Sequence, residues 1–239
     1  MDINRLIGSF LGNSSGAGSA GSVSGMASQL GNKLPGGHAG GAAAGGLVAL
    51  MLGSKKARKM GGKALTYGGM AVVGGLAYQA YKNYKSSQQA PSQPIRSIEP
   101  APADSGFDPA QIQDQRGQDM RLALIQAMIS AAKSDGHIDA TENSRIREQI
   151  NAAQLAADEK AFLFDLLDGD SDPVAVARLA ADEPQAAELY LASALTIDVD
   201  TPEEQRYMER LGDALRLPAE LQRQLTDHAS AAKAGAGEA

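Results

Sequence analysis

Two short acidic segments hold the side chains of this chain that could do chemistry. The first is SDGHIDATE, residues 134–142, and the second is IDVDTPEE, residues 197–204. Their carboxylates are those of Asp135, Asp139, Glu142, Asp198, Asp200, Glu203 and Glu204. Carboxylate ligands without sulfur suit Ca²⁺ or Mg²⁺, so the pattern predicts a site for one of these ions. The order of the acids is not that of an EF-hand loop.

Helix capping explains part of each segment without a bound ion. Asp139 and Glu142 have the spacing of a capping box, and Thr201 with Glu204 repeats it before a second helix. Gly136 is a typical stop for the helix that precedes the first segment. Capping leaves three carboxylates unexplained, which are Asp135, Asp198 and Asp200. If the two helix pairs pack face to face, both segments can meet at one edge.

Nothing in the sequence indicates an enzyme. The chain has no cysteine, which excludes disulfides, thiolate metal sites and cysteine nucleophiles. It has no P-loop, and it offers no His–acid pair that we expect to act in general base catalysis. His137 is expected to be a solvated loop residue, and no partner is predicted for His38 or His228. We therefore predict a non-catalytic protein.

Helical periodicity runs through the acidic C-terminal half. In FDPAQ, Asp108 is predicted to cap a helix that starts at Pro109. The apolar residues then predict about seven helices, over residues 109–133, 140–153, 159–168, 173–181, 185–197, 202–216 and 219–230. Aromatic residues are few and no strand-like alternation occurs, so an all-α bundle is predicted.

The N-terminal half has the opposite charge and a different composition. Residues 1–85 hold nine Lys or Arg and one acid, whereas residues 86–239 hold 13 Lys or Arg and 27 acids. A low-complexity Gly/Ser region (1–39) is followed by a Gly-rich apolar region (40–85) with two uncharged stretches, 40–53 and 64–81. Small residues permit close helix contact in bilayers, and Tyr67, Tyr78, Tyr81 and Tyr84 resemble interfacial tyrosines. Both stretches are short for a span, but they predict contact with membrane lipid, with 64–81 the stronger candidate.

A basic cluster between the two stretches predicts on which side of the membrane the flanking parts of the chain lie. It consists of Lys55, Lys56, Arg58, Lys59 and Lys63. Under the positive-inside rule it stays in the cytoplasm, so a span over 64–81 places the C-terminal domain outside, in the periplasm. No aromatic residues interleave the cluster, and nucleic acid is not a predicted partner. A Pro/Gln/Ser-rich linker (86–107) then leads to the helical domain (108–232).

The two acidic segments and their flanks resemble a known family. ALIQAMISAAKSDGHIDATENSRI and LYLASALTIDVDTPEEQRYMERLGDALRLPAEL resemble the TerB-like helical domain, and in particular the bacterial, membrane-associated DUF533 (YebE-like) family. The resemblance implies a bundle of about seven helices over roughly residues 109–230. It also implies that the seven acids named above are metal ligands, as proposed for TerB relatives. TerB proteins are associated with tellurite resistance and cell-envelope stress.

Together these observations predict an inner-membrane protein whose helical domain binds a divalent cation, a protein partner or both. The alternative is a structural scaffold that self-associates through its Gly-rich segment and uses its acids only to cap helices.

Overall fold

The computed structural model describes residues 1–11, 70–87, 98–136, 140–153 and 155–237, together with residues 89, 91 and 95. This part of the chain forms helices and turns without a strand, which confirms the all-α fold. In chain order its helices are α1 (Ile3–Leu11), α2 (Met70–Lys85), α3 (Met120–Ala132), α4 (Ala140–Ala152), α5 (Ala157–Asp168), α6 (Pro173–Ala177), α7 (Glu183–Thr196), α8 (Pro202–Ala214) and α9 (Ala219–Gly237).

Helix α7 is the centre of the bundle. Every residue from Gln185 to Thr196 is buried. Helix α3 packs against α7 more extensively than any other pair of helices in the described chain, and α2, α8 and α9 contact it as well. A helix that is apolar on all sides needs neighbours on all sides. The sequence AAELYLASALT meets that condition, apart from one glutamate, Glu188.

Local capping sets most helix starts. The Asp172 carboxylate accepts hydrogen bonds from the amides of Val174 and Ala175, and Pro173 opens α6. Thr201 caps α8 in the predicted capping box with Glu204. Each of these caps satisfies backbone N–H groups that the first helical turn leaves without partners. The predicted helix starts at 173 and 202 are therefore confirmed.

The predicted helix start at Pro109 is wrong. Residues 109–119 form turns, with an isolated bridge between Gln113 and Asp119, and α3 begins at Met120 with Asp119 as its cap. The Asp114 carboxylate accepts hydrogen bonds from the amides of Arg116 and Gln118, which closes a loop instead of a helical turn. The Asp108 carboxylate does accept a hydrogen bond from the Ala110 amide, but no helix begins at that position.

The second apolar stretch is partly described, and that part belongs to the bundle. Residues 70–81 lie in α2, which packs against α7 and α9. Within the described residues, no helix combines the length and the apolar character needed to cross a membrane. Residues 64–69, the first stretch (40–53) and the basic cluster lie outside the described residues, so the predicted spans are not tested there.

Part of the predicted linker crosses α2 at two glycines. A Cβ placed on Gly74 would overlap the carbonyl oxygen of Phe107, and one on Gly75 would overlap that of Glu99. The backbone of residues 98–109 thus approaches α2 more closely than any larger residue allows. The glycines were predicted to permit close contact between helices in a bilayer, whereas these two permit close contact with the chain's own backbone.

Candidate functional site

The second acidic segment forms the turn between α7 and α8. Glu204 is buried, and its carboxylate accepts hydrogen bonds from the amides of Asp200 and Thr201, both at 3.1 Å. The Glu204 amide in turn donates to the Thr201 hydroxyl at 3.2 Å. Glu203 is exposed and pairs with Arg206. Two of the predicted metal ligands therefore have local structural partners.

A lysine distant in sequence neutralises Asp198. The Lys233 ammonium donates to the carbonyls of Ala194 and Ile197, at 3.1 and 2.7 Å, and to Asp198 Oδ1 at 2.8 Å. Only 8% of Lys233 is exposed. The ammonium caps the C-terminal end of α7, where the helix dipole favours a positive charge. The sequence pattern predicted no partner for the charge of Asp198, and the structure provides one in Lys233 of α9.

The first acidic segment is preceded by a lysine with a similar role. The Lys133 ammonium donates to the carbonyls of Leu166 and Leu167, at 3.2 and 2.6 Å, and to that of Gly169. It thereby caps the C-terminal end of α5. Burial lowers the pKa of Lys133 from its ordinary value, although Asp170 and Asp168 oppose this. Sequence reasoning missed both lysines, because neither stands beside its partners along the chain.

The structure describes residues 134–136 of the first segment with their side chains. Asp135 is half-buried, and Gly136 adopts the left-handed conformation (φ +70°) in the turn that follows α3. Asp139, His137 and the side chain of Glu142 lie outside the described residues, so their predicted capping box and ligand roles are not tested. His38 lies outside them too. Among the residues that are described, no three acids or histidines come together to hold a metal ion.

The helices that lead into the two acidic segments end on the same side of the bundle. Ser130 stands near the end of α3 and Ser193 near the end of α7, and both lie close to the buried hydroxyl of Tyr207, which has no hydrogen-bond partner among the described residues. Burial, the larger effect, raises the pKa of Tyr207. Since Ser130 and Ser193 each precede their segment's first acid by five residues, both segments leave the bundle near one edge.

A pocket of about 510 Å³ opens beside the second segment. It lies between α7, α8 and α9, and its charged lining residues are Asp198, Asp200, Glu209 and Lys233. Ala194, Ile197 and Met208 form an apolar wall. Val199 stands at the rim with 47% of its surface exposed. The pocket thus combines an apolar surface with carboxylates that outnumber the ammonium group.

Two buried titratable groups were also missed. His228 is buried. Its Nδ1 donates to the Gln224 carbonyl at 2.8 Å, and Nε2 faces the Asn83 amide at 3.4 Å. Burial lowers the pKa of His228 and favours the neutral ring. Glu188 is fully buried, and neither of its carboxyl oxygens has a hydrogen-bond partner among the residues that the structure describes. A glutamate inside an otherwise apolar helix was the available sequence signal.

Lys233→Met is expected to lower the free energy of unfolding by about 2–4 kcal/mol. The substitution leaves the buried carbonyls of Ala194 and Ile197 unpaired and removes the partner of Asp198. Arg223→Met is the control, since its ion pair with Glu220 is exposed and is expected to contribute under about 1 kcal/mol. Urea denaturation of both variants measures the difference. Equal losses would show that Lys233 does not cap α7.

The fold and this edge of the bundle define the class of protein: an all-α helical bundle with acidic interhelical turns. The chain belongs to the family described as "Protein of unknown function (DUF533)", which it matches over residues 37–229. The predicted family resemblance is confirmed at that level, while the TerB-like and YebE-like details stay predictions.

One relative comes from Yersinia enterocolitica. This "Uncharacterized protein in ampR 5'region" is 36% identical over 108 residues, which make up 45% of this chain and 75% of that protein. No solved structure matches the chain significantly.

Proposed function

We propose that this protein is a membrane-anchored, non-catalytic binding module of a cell-envelope or stress-response system. Its pocket at the second acidic segment takes a basic segment of a protein partner. The observation that carries the proposal is the composition of that pocket, where Asp198, Asp200 and Glu209 line the same space as an apolar wall.

The charge balance favours a basic ligand. Lys233 is the one base among the described lining residues, and its ammonium is engaged by Asp198 and two carbonyls. Three carboxylates and one ammonium group give the described lining a net negative charge. A partner's lysine or arginine would lay its aliphatic stem along Met208 and Ile197 and direct its charged end to these carboxylates.

The same lining supports a binding role over catalysis. Its hydroxyl groups belong to Tyr190, Thr226 and Ser230, and no histidine stands among the described residues that line the pocket. Thr226 donates to the Gln222 carbonyl, and Tyr190 lies 3.4 Å from the Thr226 oxygen. Hydroxyls engaged in this way are suited to positioning a ligand.

Site-specific photo-crosslinking tests the pocket in cells. A benzoylphenylalanine at Val199, on the rim, is expected to capture a partner protein, whereas the same group at the exposed Glu148 of α4 is not. Asp200→Asn with Glu209→Gln should abolish the capture at Val199, and Glu203→Gln, which is outside the pocket lining, should leave it unchanged. Capture that survives the loss of both pocket charges would contradict the proposal.

A divalent cation, Ca²⁺ or Mg²⁺, is the second candidate ligand. It is favoured by the packing of α3 on α7, whose ends carry the two acidic segments toward one edge. If a cation binds there, Ca²⁺ should raise the melting temperature, and Asp135→Asn combined with Asp198→Asn should abolish the rise. Glu148→Gln combined with Glu220→Gln is the matched control, because it removes two exposed acids elsewhere. A wild-type chain whose melting temperature ignores Ca²⁺ would exclude this candidate.

Membrane attachment rests on the apolar stretches of the N-terminal half. The predicted periplasmic placement requires a span over 64–81, and α2 cannot cross a bilayer while it lies against α7 and α9. A reporter fused after residue 239 distinguishes the arrangements. A periplasmic reporter supports a span over 64–81. A cytoplasmic reporter supports attachment through 40–53, followed by the basic cluster.

A further inference from the structure

Helix α2 is an apolar helix that lies in a groove formed by α7 and α9. Its buried face consists mainly of small and medium apolar side chains, including Met70, Val73, Leu76 and Ala80. The helix has no acidic residue, and its C-terminal end carries Tyr78, Tyr81, Tyr84, Lys82 and Lys85. Such a helix suits two environments, a protein groove and the interface of a lipid bilayer.

The polar contacts that join α2 to the groove are long. The Asn83 amide stands 3.4 Å from His228, and the Lys85 ammonium stands 3.4 Å from Glu183 at an exposed position. The rings of Tyr78 and Tyr81 pack on Phe107, with centroids 5.8 and 5.4 Å apart. Apolar contact therefore supplies most of the attraction, and a bilayer offers apolar contact too.

The carboxyl of Glu188, for which the described residues provide no hydrogen-bond partner, lies beneath α2. Oε1 of Glu188 is 3.2 Å from the place where a Cβ of Gly74 would stand, and the Phe107 carbonyl adjoins the same point. The charged groups that act on Glu188 are Asp182, at the start of its own helix, and Asp108, from the segment that crosses α2. Both are acidic. Burial is the main cause that raises the pKa of Glu188 to about 9, and the two acids add to it.

We propose that α2 is a releasable membrane-binding helix: it stays in the groove while Glu188 is protonated and moves to a lipid surface when that carboxyl ionises. A buried carboxylate between two acids, with no base and no hydrogen-bond donor beside it in the described part of the chain, has to reach water. Displacement of α2 and of residues 107–109 is the direct route, because both cover it. This inference rests on the membrane association proposed above and specifies how one membrane-binding segment is controlled.

Tryptophan fluorescence can follow α2 in the full-length chain. The chain has no tryptophan, so Tyr84→Trp places a single reporter at the end of α2. The probe is a vesicle of phosphatidylethanolamine and phosphatidylglycerol with brominated acyl chains, which quench tryptophan on contact. We expect little quenching at neutral pH and about twofold more, or greater, above pH 9. Glu188→Gln in the same background should keep quenching low at both pH values.

A crosslink gives a second, independent control. Lys85→Cys with Glu183→Cys puts two thiols into a chain that has no cysteine, at positions already in contact. Joining them with a short bismaleimide should prevent quenching above pH 9, whereas the uncrosslinked double variant should still respond. Circular dichroism confirms that each variant remains helical.

Vesicle flotation separates the two proposals. Chains that float with vesicles but never show quenching of the introduced tryptophan would overturn the release of α2 and leave membrane association intact. Chains that do not float at either pH would overturn membrane association, and with it the lipid surface as the destination of α2. A pH-dependent dimer without quenching would identify a second copy of the chain as the destination and overturn the lipid assignment.

Discussion

Glu188→Gln is expected to make the protein more stable at alkaline pH and to flatten the pH dependence of its unfolding. The folded chain holds a proton on Glu188 up to about pH 9, whereas the unfolded chain releases it near pH 4.5. The stability of the wild type is therefore complete below the unfolded value and is lost as the pH rises toward the folded value. The loss approaches about 1.4 kcal/mol for each pH unit, because one proton is released on unfolding.

Between pH 5 and pH 8, the free energy of unfolding of Glu188→Gln should rise relative to that of the wild type, by roughly 3–4 kcal/mol at most. Glutamine keeps the size and the buried position of the neutral acid, so packing changes little. Urea denaturation at one-unit pH intervals measures the effect. Because both chains contain His228, its opposite contribution below pH 6.5 cancels in the difference.

Glu148→Gln is the control for this titration, since Glu148 is exposed on α4. Its stability profile should run parallel to that of the wild type. If the profile of Glu188→Gln also runs parallel to that of the wild type from pH 5 to 9, the carboxyl is not held protonated beneath α2. Local opening of the structure would then give Glu188 access to water.

Gly74→Ala is expected to lower the free energy of unfolding by about 3 kcal/mol. On an exposed helix the same change stabilises by about 1 kcal/mol, because alanine favours helix. Here the new methyl group would overlap the Phe107 carbonyl and crowd Pro109, so the segment that covers α2 must move. The sign of the change therefore shows whether α2 lies in the groove or stands free of it.

Ala71→Gly is the matched control for Gly74→Ala. Ala71 is exposed on the same helix, and the loss of its methyl group should cost only the propensity difference of about 1 kcal/mol. Urea denaturation at neutral pH measures both variants. A gain in stability for Gly74→Ala would contradict the packing of residues 107–109 on α2. It would also revive the interpretation of these glycines as contacts between helices in a bilayer.

Helix order and most helix bounds could be predicted because their signals are local. Asp172 with Pro173, and Thr201 with Pro202 and Glu204, act within one helical turn, so the sequence alone shows where α6 and α8 begin. The same local reasoning wrongly predicted a helix over residues 109–119. Their conformation depends on distant partners: the Gln115 amide bonds the Leu179 carbonyl, and the Gln185 side chain bonds the Gln113 carbonyl.

The candidate site likewise contains some residues whose partners are local in the sequence and others whose partners are distant. Glu204 was recognised as a capping residue from its spacing, whereas the partner of Asp198 is Lys233 in α9, 35 residues farther along the chain. A pattern of acids shows that positive charge is needed but not whether a metal ion, a partner or another helix provides it. In the described residues the chain itself supplies that charge at Asp198.

The sequence by itself determined most of the helices, the caps at Asp172 and Thr201, and the apolar character of residues 64–81. Only the tertiary structure decided that residues 70–81 lie in a groove beside α7 and α9, with Glu188 beneath them. The physical reason is that burial is non-directional. An apolar, glycine-rich segment gains nearly the same free energy from lipid as from protein, so its composition cannot specify which of the two surrounds it.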